Sequence, residues 1–429
     1  MSFVEIWIHN SNGGNRIMSN RKFIGAENLL SDLNEFLKKP LNIVVIVFLA
    51  GFFLRCLIAY HFFGSYDVES WILDTQLLLD GKNVYAETNR YHYAPVLLWA
   101  LYPCGILATA FNWPMCFGVK LPFIITDVLI FFLLLFIVRR LNLDKKERVL
   151  IPSLFFLNPV SIILTAYHGQ FGNMAVFFVL LAWFFYKFHY SRFHYILTAF
   201  LLSFSIATKH FTIMLVPVFA LSYKKISKQM MFFSISPIIF VLTLMPHYFI
   251  AGDKLVKNVF GYNLGAGYWG WSGIICRTAL FLGLDLTKFS QFGYLDYFNY
   301  FLYVAIFIVS FFLVRRFSLL DNIIIVLLIF YVFTTQIAPQ YSIWILPFAV
   351  LRRGKYFYAY SIICTIHLLA FEYCHYHWWR DIPFDGRIAN LIPEIFVIFR
   401  HLLWAVCVLW LFAIFRSKSI YLPDTRLQK

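Results

Sequence analysis

The chain has 429 residues, of which 61% are hydrophobic and 13% are charged, with a formal net charge of +15. Soluble domains carry about 25% charged residues, so this composition excludes an ordinary soluble protein and indicates an integral membrane protein. The basic residues lie in short clusters between apolar runs, which argues against a nucleic-acid-binding surface. The seven cysteines show no paired spacing, which argues against a disulfide framework or a zinc site.

Residues 1–40 are predicted to form a cytoplasmic segment without the layout of a signal peptide. Apolar side chains recur at helical spacing over residues 26–39, and the segment ends in Lys38-Lys39-Pro40. This pattern predicts an amphipathic helix on the membrane surface. A disordered tail with a late start at Met18 is the alternative. Residues 41–429 are predicted to form one transmembrane domain.

An all-α, polytopic architecture is predicted from the recurrence of apolar runs of about 20 residues. The basic clusters fall on one side of the membrane if residues 93–112 and 272–284 are interfacial or re-entrant helices rather than full spans. About 12 transmembrane helices then result, with both chain ends in the cytoplasm. The predicted spans are 42–62, 120–138, 149–166, 173–188, 194–208, 210–223, 230–251, 297–314, 320–336, 341–351, 356–373 and 392–415.

Most of the polar side chains suited to chemistry lie in the loops of the opposite, non-cytoplasmic face. The first of these loops, residues 63–92, is the largest, and further outer loops lie at 168–173, 208–210, 252–271, 336–341 and 372–387. The cytoplasmic loops are short and basic. This segregation predicts an active site on the non-cytoplasmic face, although aromatic belts at the interface account for part of the pattern.

Asp67 and Glu69 stand directly after the first apolar run. In an extended segment, residues two apart point the same way, so both carboxylates would face one pocket. Such a carboxylate can act as general base on a sugar hydroxyl, and the pair could hold a divalent cation such as Mg²⁺ or Mn²⁺. The alternative is a pair of solvated acids. No other metal site is predicted, because His375 and His377 lack a supporting ligand pattern.

Tyr66–Trp71 (YDVESW) resembles the D-x-D/D-x-E signature of the GT-C glycosyltransferases, and Asp74 matches a further acid of that loop. In residues 80–95, the Gly, the Tyr, the Arg90-Tyr91 pair and the Tyr93-x-Pro95 element fall about where they do in the first-mannose transferase of GPI-anchor synthesis and in bacterial members of the superfamily.

Later segments extend the resemblance in the same order. Asn158-Pro159 and residues 168–173 (HGQFGN) are similar to elements of the endoplasmic glucosyltransferases that extend lipid-linked oligosaccharides, although Gly172 replaces an acid or Tyr. Lys209 and the stretch Gln340-Tyr341 with Trp344 and Pro347 also resemble family elements. The resemblance covers residues 42 to about 350.

The resemblance implies a GT-C-type transferase that moves a hexose, with mannose favoured, from a polyprenyl- or dolichyl-phosphate donor to a lipid-linked or glycan acceptor, with inversion. Asp67 would be the general base, and Glu69 would orient the acceptor or support Asp67. Lys209, His168 and Arg90 would bind the donor phosphate. Substrate contacts are assigned to Tyr93, Gln170, Trp269, Gln340 and Tyr341.

Simpler interpretations stay open for several of these residues. Lys209 could extend to the interface as lysines at span ends do, His168 could cap a helix, and the aromatic segment around Trp269 could belong to an interfacial belt. A transporter or a lipid or glycan flippase is the alternative function, and a glycan polymerase or ligase is a third. The membrane would be the plasma or inner membrane in a bacterium and the endoplasmic reticulum in a eukaryote.

Overall fold

The computed structural model describes residues 40–189, 193–261, 269–283, 294–335, 337–375 and 386–417, and these residues form helices and connecting turns without a β-strand. The α-helices in chain order are α1 Pro40–His61, α2 Tyr66–Leu79, α3 Val84–Glu87, α4 Val96–Ala110, α5 Met115–Arg140, α6 Lys145–Phe156, α7 Pro159–Ile162, α8 Gly172–Phe188, α9 His194–Thr208, α10 Val216–Leu221, α11 Ile226–Ile235, α12 Ile238–Ala251, α13 Asp253–Phe260, α14 Gly270–Phe281, α15 Tyr294–Arg316, α16 Leu319–Phe333, α17 Leu346–Arg352, α18 Lys355–His375 and α19 Gly386–Arg416. A π-helical turn at Ile163–Tyr167 and 3₁₀ turns at His210–Leu215 and Pro339–Ile343 complete the list.

Six helical segments in the described part of the chain are long and apolar enough to cross a membrane. This finding confirms the prediction of an α-helical, membrane-embedded protein. The amphipathic helix predicted at 26–39 lies outside the described residues. The six segments are Pro40–His61, Met115–Arg140, Lys145–Tyr167, Ile226–Ala251, Lys355–His375 and Leu391–Arg416.

The first outer segment differs from the prediction, because residues 66–79 form helix α2 rather than an extended loop. Ser65 caps this helix by accepting a hydrogen bond from the backbone N–H of Asp67 at 3.1 Å. Residues two apart on a helix do not share a face. The prediction that Asp67 and Glu69 point into one pocket is therefore wrong.

Helix α4 packs beside α2 and against the first turns of α5. A Cβ on Gly105 of α4 would collide with Thr75 of α2, and a Cβ on Gly118 of α5 would lie 2.6 Å from Cβ of Ala108. The 15 residues of α4 span about 22 Å at 1.5 Å per residue, less than the ~30 Å of a bilayer core. The interfacial or re-entrant position of residues 93–112 stays a prediction, because α9 and α16 have the same length and are predicted as full spans.

Arg55 and Asp127 form a buried ion pair between α1 and α5, with Nε–Oδ2 at 3.0 Å and both side chains fully buried. The two residues lie 72 positions apart in the sequence, so only the packing of α1 against α5 brings their charges together. Neighbouring groups also form hydrogen bonds with the pair. The side chains of Ser161, Thr165 and Asn173 donate to Asp127, and Arg55 donates to the Phe156 carbonyl oxygen. The network joins helices α1, α5, α7 and α8 inside the protein.

Candidate active site

Asp67 lies in the first turn of α2 at the edge of a buried polar cluster. Its side chain is 30% exposed, which leaves it open on one side. Oδ2 accepts a hydrogen bond from the side-chain amide of Gln170 and lies 3.6 Å from Nε2 of His168. Among the described residues no group bonds Oδ1, so this oxygen is available to an incoming hydroxyl.

The segment from His168 to Phe171 is held against α2 by backbone contacts. Ser65 donates its hydroxyl to the His168 carbonyl oxygen at 2.6 Å, and Trp71 donates its indole N–H to the Gly169 carbonyl oxygen at 2.9 Å. Gly169 has a positive φ of 76°, and a Cβ there would collide with Val68. A larger residue at position 169 would therefore displace His168 and Gln170 from Asp67.

The π-helical turn at Ile163–Tyr167 immediately precedes this segment. Such turns recur at functional sites because the extra residue changes the direction of the side chains that follow. Here the turn ends at His168, whose backbone N–H bonds to the Ile163 carbonyl oxygen at 2.8 Å. The sequence contained no recognisable signal for it.

His168 lies between two carboxylates. Its Nδ1 is 2.5 Å from Oε1 of Glu372, in addition to the contact of Nε2 with Asp67, and the side chains of His168 and Glu372 are 1% and 0% exposed. Burial lowers the pKa of His168, but Glu372 and Asp67 together outweigh burial and raise it to about 9. Burial raises the pKa of Asp67, and the hydrogen bond and charge of His168 reverse this effect and lower it. At neutral pH the site therefore holds an imidazolium beside an ionised Asp67.

Lys209 places a buried cation on the other side of Gln170. Its Nζ donates to Oε1 of Gln170 at 3.4 Å, so the amide of Gln170 connects Lys209 to Asp67. The ammonium group is enclosed by aromatic rings, and burial lowers its pKa to about 8 although Asp67 opposes the shift. The distances from Nζ to the ring centroids are 4.6 Å for Phe171, 5.5 Å for Tyr93 and Tyr341, and 6.0 Å for Trp344.

Glu69 and Arg90 form a separate pair at the rim. NH2 of Arg90 lies 2.9 Å from Oε2 of Glu69, and the guanidinium group sits 3.9 Å above the ring of Tyr66. Glu69 is 55% exposed, unlike Asp67. Glu69 therefore contacts Arg90, whereas Asp67 contacts Gln170 and His168. In the described part of the chain, no group of three His, Cys, Asp or Glu side chains is arranged to hold a metal ion.

The other sequence-predicted residues separate into two groups. Tyr93 and Tyr341 lie beside Lys209, and Gln340 is half-buried in the same 3₁₀ turn as Tyr341. Trp269 is 3% exposed and donates its indole N–H to the Tyr331 carbonyl oxygen at 2.6 Å. It supports the turn from behind, because the hydroxyl of Tyr331 bonds to the Tyr341 carbonyl oxygen. Its role as a sugar-contacting ring stays a prediction.

Two buried charged residues of this region received no role from the sequence. Glu372 lies in α18, far along the chain from Asp67 and beyond the last recognisable motif, so no local pattern indicated it. Lys120 of α5 is fully buried and donates to the Phe62 carbonyl oxygen at 2.7 Å, beneath the turn that leads to Asp67. A lysine at the start of an apolar run was the one available signal for Lys120.

Comparison of the chain with protein-family models and with curated proteins finds no match.

Proposed function

We propose that the protein is a GT-C-type glycosyltransferase that transfers a hexose, with mannose favoured, from a polyprenyl-phosphate donor to a lipid-linked or glycan acceptor on the non-cytoplasmic face of the membrane. One observation carries this proposal: the amide of Gln170 binds the carboxylate of Asp67 at one end and the ammonium of Lys209 at the other. A base for the acceptor and a cation for the leaving phosphate are thus held side by side.

These two groups account for the proton and the charge that the transfer reaction moves. The acceptor hydroxyl oxygen attacks the anomeric carbon and forms the new glycosidic bond, while Asp67 accepts the hydroxyl proton. The bond between the anomeric carbon and the phosphate oxygen breaks, and the lipid phosphate leaves with the electron pair. Attack opposite the leaving group inverts the anomeric carbon. Lys209 stabilises the charge that develops on the phosphate.

The enclosure of Lys209 supports its role toward a leaving group. Electrostatic interactions strengthen where water is excluded, and a preorganised cation needs no rearrangement during the reaction. The four surrounding rings also offer apolar faces to a sugar or to the first isoprene unit of the donor. A lysine that only extended to the interface would carry its ammonium group into water, whereas Lys209 is 5% exposed.

The architecture proposed with this function has about 12 spans and both ends in the cytoplasm. Support comes from four shorter apolar helices beside the six long segments: Gly172–Phe188, His194–Thr208, His210–Leu221 and Leu319–Phe333. In this topology Val96–Ala110 is interfacial or re-entrant. The turns before Asp67, at His168 and at Lys209 all fall on the non-cytoplasmic side, where the phosphate of a lipid donor would lie.

A transporter or flippase is the second candidate, because charged residues inside membrane segments often mark transport paths. Arg55, Asp127 and Lys120 are such residues. The Arg55–Asp127 pair, however, is bonded to several neighbouring groups, and both side chains are closed to solvent. This arrangement favours a structural role for the pair over a transport path.

The test uses the purified protein in proteoliposomes with labelled polyprenyl-phosphate mannose, and in parallel with the glucose donor. If the protein transfers the sugar, polyprenyl phosphate is released and the label appears in an acceptor from the membrane extract. Asp67→Asn should form neither product. Movement of intact donor across the bilayer without cleavage would support the flippase instead. Absence of cleavage with both donors and a full membrane extract as acceptor source would refute the transferase proposal.

A further inference from the structure

We propose that Glu372 is a positioning residue that keeps His168 as an imidazolium directed at Asp67. The inference deepens the proposed function and rests on it for the catalytic consequence. The three side chains form a chain from the open edge of the site to the interior: Asp67 at 30% exposure, His168 at 1% and Glu372 at 0%. Glu372 acts through His168 and does not reach the reacting atoms.

The geometry assigns each nitrogen of the ring to a different carboxylate. Nδ1 of His168 lies 2.5 Å from Oε1 of Glu372, and Nε2 lies 3.6 Å from Oδ2 of Asp67. The first contact is a hydrogen bond, and the second is at ion-pair distance, which is favourable when the ring carries a positive charge. The arrangement therefore suits the charged ring.

The charge balance gives the same result. Both carboxylates favour a positive charge on the ring, because Glu372 contacts Nδ1 and Asp67 lies at ion-pair distance from Nε2. An imidazolium between Asp67 and Glu372 leaves one net negative charge, which Lys209 balances from the far side of Gln170. Without Glu372, the charged form of the buried ring would lose its closest anion.

Other charged groups around Asp67, His168 and Glu372 also influence the pH at which these side chains titrate. Lys120 of α5 interacts with Glu372, Lys209 interacts with Asp67, and His92 faces Asp67 from the segment before α4. None of them lies between His168 and Glu372, where the hydrogen bond is direct. Changing Glu372 therefore alters His168 first and Asp67 through His168.

Glu372 affects sugar transfer through Asp67, the proposed general base. His168 in its charged form keeps the pKa of Asp67 low, so Asp67 stays ionised in mildly acidic solution. Glu372→Gln retains the size and an acceptor oxygen but removes the charge. We expect the acidic limb of the pH profile of kcat/KM to move up by about one pH unit, because an adjacent opposite charge shifts a carboxyl group by about 1–3 units. Glu394→Gln, an exposed substitution on α19, is the matched control and should leave the limb unchanged.

The first experiment needs no substrate. Histidine-labelled protein in nanodiscs is titrated by NMR, and the His168 signal is identified by its loss in His168→Gln. We expect the wild-type ring to titrate near pH 9 and the ring in Glu372→Gln to titrate at lower pH. A wild-type His168 that titrates at or below its ordinary value of 6.5, or an unchanged titration in Glu372→Gln, would overturn the inference. If Glu372→Gln does not fold, the wild-type titration alone decides.

The second experiment is the pH profile of transfer. A shifted acidic limb in Glu372→Gln supports the positioning role, whereas a lower rate with an unchanged limb assigns Glu372 a purely structural role and overturns it. If the wild type transfers no sugar, the proposed function fails. The NMR titration then still decides whether Glu372 holds His168 in its charged form.

Discussion

Gln170 donates its side-chain amide N–H to Oδ2 of Asp67 across 103 residues of sequence. The contact fixes the carboxylate at the first turn of α2, and the carbonyl end of the same amide accepts from Lys209. One amide thus sets the relative position of an anion and a cation that the proposed reaction needs at once.

Asp67→Asn should reduce transfer by about 10²–10⁴-fold, because a positioned general base contributes about that much and an amide cannot accept the proton. Some loss of thermal stability is also expected, because Asp67 faces the buried cations of His168 and Lys209. Initial rates with labelled donor measure the effect. Asp80→Asn is the control, because Asp80 is exposed at the end of the same helix. Near-normal turnover in Asp67→Asn would remove Asp67 from the mechanism.

Glu69→Gln should cost less than Asp67→Asn. Glu69 pairs with Arg90 at the rim rather than with the cluster around His168, and ion pairs of such exposure contribute about 0.2–1 kcal/mol. We expect a modest rise in KM through misplacement of Arg90, with kcat retained. A loss of kcat equal to that of Asp67→Asn would assign Glu69 to the reacting centre.

Lys209→Met should lower kcat and kcat/KM together. The substitution keeps most of the apolar stem and removes the charge, and a contact that strengthens in the transition state affects both constants. Lys224→Met, at an exposed position, is the matched control. A rise in KM with an unchanged kcat would restrict Lys209 to donor binding, and an unaltered enzyme would return it to a structural role.

The rate of transfer should fall as the pH rises through about 8. Burial lowers the pKa of Lys209 to about 8, so the ammonium form is present below that pH and is lost above it. Lys209→Arg keeps its charge at alkaline pH, because a guanidinium group has a pKa above ~12. The alkaline limb of this variant should therefore move to higher pH, toward the titration of His168. A limb that stays in place would exclude Lys209 as its source.

Asp127→Asn should destabilise the protein by about 3–5 kcal/mol, because it leaves the buried guanidinium of Arg55 without its anion. Thermal unfolding in detergent, followed by tryptophan fluorescence, measures the change. The double variant Arg55→Met with Asp127→Asn should recover part of the loss, since no unpaired charge stays buried. If the single and double variants lose equal stability, the charge pair is not the cause.

Cysteine accessibility tests the proposed topology. In a background without native cysteines, Lys82→Cys and Lys257→Cys should react with an impermeant thiol reagent from the non-cytoplasmic side. Lys146→Cys and Lys225→Cys should react only after the membrane is opened. All four positions are exposed in the structure, so burial does not decide the result. Labelling of position 146 from outside would make α4 a full span and reverse the orientation of the basic loops.

The amino-acid sequence was sufficient to predict a helical membrane protein and the separate segments of the candidate site. Runs of apolar residues predict membrane helices because each span must satisfy its own backbone and face lipid, so the signal is local. Asp67, His168, Gln170 and Lys209 could be singled out because each stands at the end of an apolar run within a short motif.

How these segments meet follows from the packing of helices that are distant in sequence. Local pattern did not reveal that residues 66–79 form a helix, because their mixed polarity fits a loop equally well, and this helix sends Asp67 and Glu69 to different faces. Glu372 and the Arg55–Asp127 pair could not be predicted from the sequence for another reason. A buried charge is stable through its partner, and these partners come from helices distant in sequence, so packing alone brings the opposite charges together.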